Sequence, residues 1–66
     1  NLDAIVMEFK VQNTSKEKSL EETVEHALRQ IQKKQYDTEL LARGITKERI
    51  RHYGFAFRGK KVLMGN

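Results

Sequence analysis

Glu8 and Lys10 are the residues of this chain best placed to do chemistry. They stand two apart in the run Ala4-Ile5-Val6-Met7-Glu8-Phe9-Lys10-Val11, whose other members are all apolar. Side chains alternate along a strand, so residues two apart project from the same face. A carboxylate beside an ammonium suits metal-assisted hydrolysis of a phosphodiester. The carboxylate offers hard oxygens to Mg²⁺ or Mn²⁺. The metal acidifies a bound water and stabilises the charge that develops on phosphorus. The lysine orients that water or neutralises the scissile phosphate. The same spacing also describes a structural ion pair at a strand end, and by spacing alone that is the commoner outcome. The run as a whole reads as a strand buried on both faces. A charge there is costly unless it is paired, metal-bound or used in chemistry.

The remaining polar candidates are weaker. Gln30 follows a helical apolar stripe and lies near Ala27 and Lys34 on the helix surface, from where it could reach a phosphate or an active-site water. An exposed helix glutamine is the plain alternative. Lys33 and Lys34 could touch a nucleic-acid backbone, against the alternative of a solvated basic face. Tyr36 either caps the core or stacks near the site. His26 and His52 have no metal-ligand spacing and read as surface or packing residues. A hydrolytic metal site wants a second carboxylate, and Asp3 is the one acid just upstream of Glu8. Five residues of strand separate them by roughly 16 Å, too far for one metal to bridge.

The elements that must position these residues follow a simple order. Residues 4 to 11 form a strand, and Gln12 to Lys18 is a polar loop. Ser19-Leu20-Glu21-Glu22 fits a capping box, with Ser19 as N-cap and Glu22 at the third helical position. Leu20, Val24, Ala27, Leu28 and Ile31 recur at helical spacing. The helix can run on to Ala42 with a break between Gln35 and Asp37, and Gly44 stops it. Ile45 to Arg49 is a connector, with Thr46 placed to cap one helical turn. Ile50 to Phe57 is a second strand, Arg58-Gly59-Lys60 a tight turn and Lys61 to Met64 a third strand. The order β-α-β-β predicts an α/β fold: a mixed sheet with one main helix, strands 1 and 2 parallel, and a closing antiparallel hairpin. One helix leaves one sheet face without a cover. Further chain or a second copy would have to supply it, so a homodimer is one expectation.

The bulk properties narrow the class. With 66 residues there is room for one small domain with a thin core. There is no cysteine and no proline, which excludes a disulfide framework and a thiolate metal site. No apolar stretch is long enough to span a membrane, and the start carries no signal pattern, so the expected location is cytoplasmic. The formal net charge of +4 is compatible with a polyanionic partner. The chain opens on Asn-Leu-Asp with the first strand almost at once, which reads as a fragment of a longer protein.

Three segments in order resemble the PD-(D/E)XK nuclease superfamily, in particular its branch at the C-terminus of AAA-ATPase-like bacterial proteins. Residues 4 to 11 resemble that branch's "iiiEFKv" strand. Residues 27 to 36, Ala-Leu-Arg-Gln-Ile-Gln-Lys-Lys-Gln-Tyr, resemble its "ALxQIxxKxY" helix. Residues 50 to 62 resemble its closing hairpin. The resemblance implies a restriction-endonuclease-like fold and a Mg²⁺- or Mn²⁺-dependent nuclease acting on nucleic acid, DNA before RNA. It implies Glu8 as a metal ligand, Lys10 as the catalytic lysine, and Gln30 as the helix glutamine of the site. Lys34 and Tyr36 would contact nucleic acid. The family's first aspartate lies on an earlier strand that these residues do not include, which implies that this stretch alone is inactive. The competing expectation is a non-catalytic module of the same fold that binds nucleic acid or protein.

Overall fold

Each element forms where its local chemistry directs. The structure, a computed structural model, describes residues 3–66; the opening Asn1-Leu2 lies outside them. Strand β1 spans Ala4–Val11. Helix α1 spans Leu20–Lys34 and helix α2 spans Tyr36–Ala42. A 3₁₀ turn, Lys47–Arg49, leads into β2 (Ile50–Arg58), and β3 (Lys61–Gly65) returns beside it.

Ser19 caps α1, its hydroxyl accepting from the Glu22 N–H at 3.3 Å. The reciprocal bond of the expected capping box is displaced by one residue: Glu22 accepts from the Lys18 N–H at 3.2 Å. Acids in the first turn and Lys33 and Lys34 in the last complement the helix dipole. The expected break falls at Gln35, whose left-handed backbone (φ 56°) ends α1 and redirects the chain into α2. Gly59, at φ 57°, makes the turn between β2 and β3.

The sheet order is β1-β2-β3. β1 and β2 are parallel, with Glu8 opposite Gly54 and Lys10 opposite Ala56. β2 and β3 are antiparallel, with Phe55 opposite Met64 and Phe57 opposite Val62. Helix α1 lies across one face and buries Thr23, Val24, Ala27 and Ile31. The helix comes so close because β2 is slim beneath it. A Cβ on Gly54 would lie 3.0 Å from the Val24 carbonyl oxygen and 3.2 Å from the Ala27 Cβ. Ala56, next on that face, is fully buried.

The expectation that β1 is buried on both faces is corrected by the structure. Burial alternates strictly along the strand: Ala4, Val6, Glu8 and Lys10 are half-buried toward α1, while Ile5, Met7, Phe9 and Val11 are exposed on the other face. A continuous apolar run specifies a strand but not that both its faces are covered. The bare face continues through Phe55 and Phe57 to Val62 and Met64, and Phe9 stacks on Phe55 with ring centres 4.9 Å apart. Among the described residues no helix is long and apolar enough to cross a membrane.

Candidate active site

The strand pleat places Glu8 and Lys10 on the face covered by α1, and it places Gln12 there too, one step further along. Opposite them, His26, Gln30 and Lys34 follow one another at intervals of four on α1, which makes a single stripe. Two contacts tie row to stripe. At one end, the Lys34 ammonium donates to both carboxylate oxygens of Glu8 at 3.4 Å. At the other end, His26 Nδ1 bonds the carboxylate of Glu17, and the Glu17 carbonyl accepts from the Gln12 side-chain amide at 2.9 Å. Gln30 is half-buried and lies midway along the helix stripe, between these two contacts.

The Glu8 side chain is only 19% exposed, so its charge needs a partner. Among the described residues that partner is Lys34, from the end of α1, and not the neighbouring Lys10. The contact with Glu8 raises the Lys34 pKa, first through the hydrogen bond and then through the charge, and nearby Tyr36 adds to the effect. The fold thus brings Glu8 to Lys34, 26 positions further along the chain, with Tyr36 beside that lysine. Lys33 stays exposed. Tyr36 also forms one wall of a cleft of about 320 Å³ between β1 and α2, together with Val6, Leu40 and Arg43. Asp3 stands apart, 3.6 Å from Arg49.

Glu17 had no signal in the sequence beyond lying in a polar loop. In the fold it is the deepest carboxylate among the described residues, with 3% exposure. It accepts from the Asn13 N–H at 2.7 Å, from the Thr23 hydroxyl at 3.0 Å and from His26. These donors, the Asn13 bond foremost, pull its pKa from 4.5 to about 2 against the opposing effect of burial, and the charge of Lys10 contributes. Lys10 therefore lies within the field of Glu17. His26, expected at the surface or in packing, is half-exposed and anchors the head of α1 through this carboxylate. His52 on β2 plays a similar part for α2, with its Nε2–H donating to Asp37 at 2.7 Å. Gln12 leaves one buried oxygen, Oε1, without a partner among the described residues.

A family model of the PD-(D/E)XK nuclease superfamily matches residues 1–66, and the chain belongs to that superfamily. Its mixed α/β fold, a three-stranded mixed sheet under its helices, is consistent with the PD-(D/E)XK fold. No curated protein and no solved structure matches the chain.

Superfamily nucleases typically use divalent metals. Carboxylate oxygen is the right chemistry for Mg²⁺ or Mn²⁺, and Mg²⁺ requires near-octahedral coordination. Among the described residues no group of three or more His, Cys, Asp or Glu could hold a metal. Glu8 supplies at most two oxygens, and Lys34 sits on both. The described residues do not, by themselves, fit the ion.

Proposed function

We propose that this chain is the Glu8–Lys10 half of a nuclease-type site that hydrolyses phosphodiester bonds of nucleic acid, with DNA as the preferred substrate. The observation that carries the reading is the juxtaposition of two rows, Glu8-Lys10 on β1 and Gln30-Lys34 on α1, in a chain of this superfamily. Lys10 neutralises a non-bridging oxygen of the scissile phosphate as negative charge grows there. The Gln30 side-chain amide, one turn before Lys34 on the same helix stripe, hydrogen-bonds the phosphate or the attacking water and fixes its approach. Tyr36 and Lys34 hold the neighbouring backbone at the mouth of the α2 cleft. Glu8 provides one carboxylate for a Mg²⁺ or Mn²⁺ site. The second acid comes from a segment outside these 66 residues, so the chain alone is inactive. We place the protein in the cytoplasm and attach the domain to an AAA-ATPase-like parent. A second copy is the proposed cover of its bare apolar face.

The test is plasmid cleavage with Mg²⁺ or Mn²⁺ by the full-length polypeptide. Glu8→Ala and Lys10→Ala should each lower the rate at least about 100-fold, the range expected when a charge-stabilising group is removed. Cleavage that survives both changes overturns the proposal. The Glu8–Lys34 pair favours one second reading, a non-catalytic nucleic-acid-binding module. That module would give salt-sensitive DNA binding with no metal-dependent cleavage.

A further inference from the structure

The mismatch between the described residues and a divalent ion has a local cause. A chelated ion sits between the two oxygens of a carboxylate, about 2 Å from them. At Glu8 that position faces the Lys34 ammonium, 3.4 Å from both oxygens. Two cations cannot share it, because their repulsion at such range outweighs what one carboxylate returns to either. Lys34 is also built to leave. It is the last residue of α1, just before the left-handed Gln35, and its side chain is 45% exposed on a flexible four-carbon stem. Lys10 shares the strand face, but among the described residues the ion pair of Glu8 is with Lys34.

We propose that Lys34 is the built-in counter-cation of Glu8, holding the carboxylate in the metal's place, so that a divalent ion reaches Glu8 only by displacing Lys34. The inference rests on the reading of Glu8 as the site's metal-facing carboxylate and adds a competitor that controls its occupancy. Lys34 is then a gate on the site before it is a contact for nucleic acid. With nucleic acid absent, Glu8 is neutralised internally and attracts metal weakly.

The experiment is an NMR titration of the 66-residue chain with Mn²⁺ alone, following paramagnetic broadening of the amides of Met7, Glu8, Phe9 and Gly54. Lys34→Gln should lower the Mn²⁺ concentration for half-broadening at these amides by about fivefold relative to wild type. Lys34→Arg, which keeps a cation on Glu8, should leave it within about twofold. Lys33→Gln makes the same change in net charge one residue away and should also leave it within about twofold. Adding Glu8→Gln to Lys34→Gln should abolish the effect. Equal broadening in wild type and Lys34→Gln overturns the proposal, as does an equal gain in Lys33→Gln. Unchanged amide spectra away from the site confirm that each variant is folded. The readout involves no nucleic acid and no cleavage. A protein that never cleaves yet shows the Lys34 effect would lose the nuclease reading and keep this one; the reverse pattern would do the opposite.

Discussion

At the residue scale the chain separates two kinds of carboxylate. Glu17 is sealed in the β1–α1 loop with three donors, whereas Glu8 is held by one long, mobile side chain. The first arrangement stabilises the fold and the second leaves a group available. Because the folded-state pKa of Glu17 is depressed to about 2 from 4.5, its stabilisation is fully present above about pH 5. It is lost as pH falls from there toward 2. Urea unfolding at pH 7, 4 and 2.5 should show the midpoint falling with acid in wild type. Glu17→Gln should start lower at pH 7 and fall less steeply. A variant with the full wild-type acid slope would exclude Glu17 as its source. Both arrangements were hidden from the sequence. The Glu8–Lys34 pair spans 26 positions and depends on where α1 ends against β1.

At the scale of elements, α1 against β2 is the contact that aims the helix stripe at the strand row. Its closeness depends on Gly54, where an added Cβ would meet the Val24 carbonyl at 3.0 Å and Leu28 and Ala27 just beyond. Since one of those neighbours is backbone, the helix itself must shift. Gly54→Ala should destabilise the fold by about 1–3 kcal/mol, as overpacking does, and lower the melting temperature accordingly. Because Glu8 pairs with Gly54, the same change should perturb the Glu8 amide resonance. No loss of stability would show that α1 does not need this approach. The strand boundaries, the Ser19 cap and the break at Gln35 were legible from local chemistry, since each depends on residues within about four positions. The bond that Glu22 accepts from the Lys18 N–H required the actual path of the chain.

At the scale of the molecule, the chain is a thin slab of 40 × 20 × 13 Å, one sheet under one main helix. One face of the sheet carries Ile5, Met7, Phe9, Val62 and Met64, each half or more exposed. A continuous apolar patch of this kind marks an interaction surface or an aggregation liability. The 66-residue chain should therefore associate at micromolar concentrations and bind a hydrophobic dye. Met7→Lys with Met64→Lys should reduce both effects without unfolding the helix-covered face. Sedimentation equilibrium that returns a clean wild-type monomer at about 100 μM would overturn the proposed pairing of copies; Kd values of that order mark the weak end of protein association.

The sequence by itself determined which side chains share a face, because alternation in a strand and recurrence in a helix are properties of the backbone alone. That was enough to join Glu8 with Lys10, to place Gln30 and Lys34 on one stripe and to indicate the superfamily. Tertiary structure decided which face of β1 is covered, which cation Glu8 keeps and that Glu17 is buried. These outcomes depend on how a loop returns α1 across the sheet. A partner chosen across 26 residues is set by that geometry, and no local pattern records it.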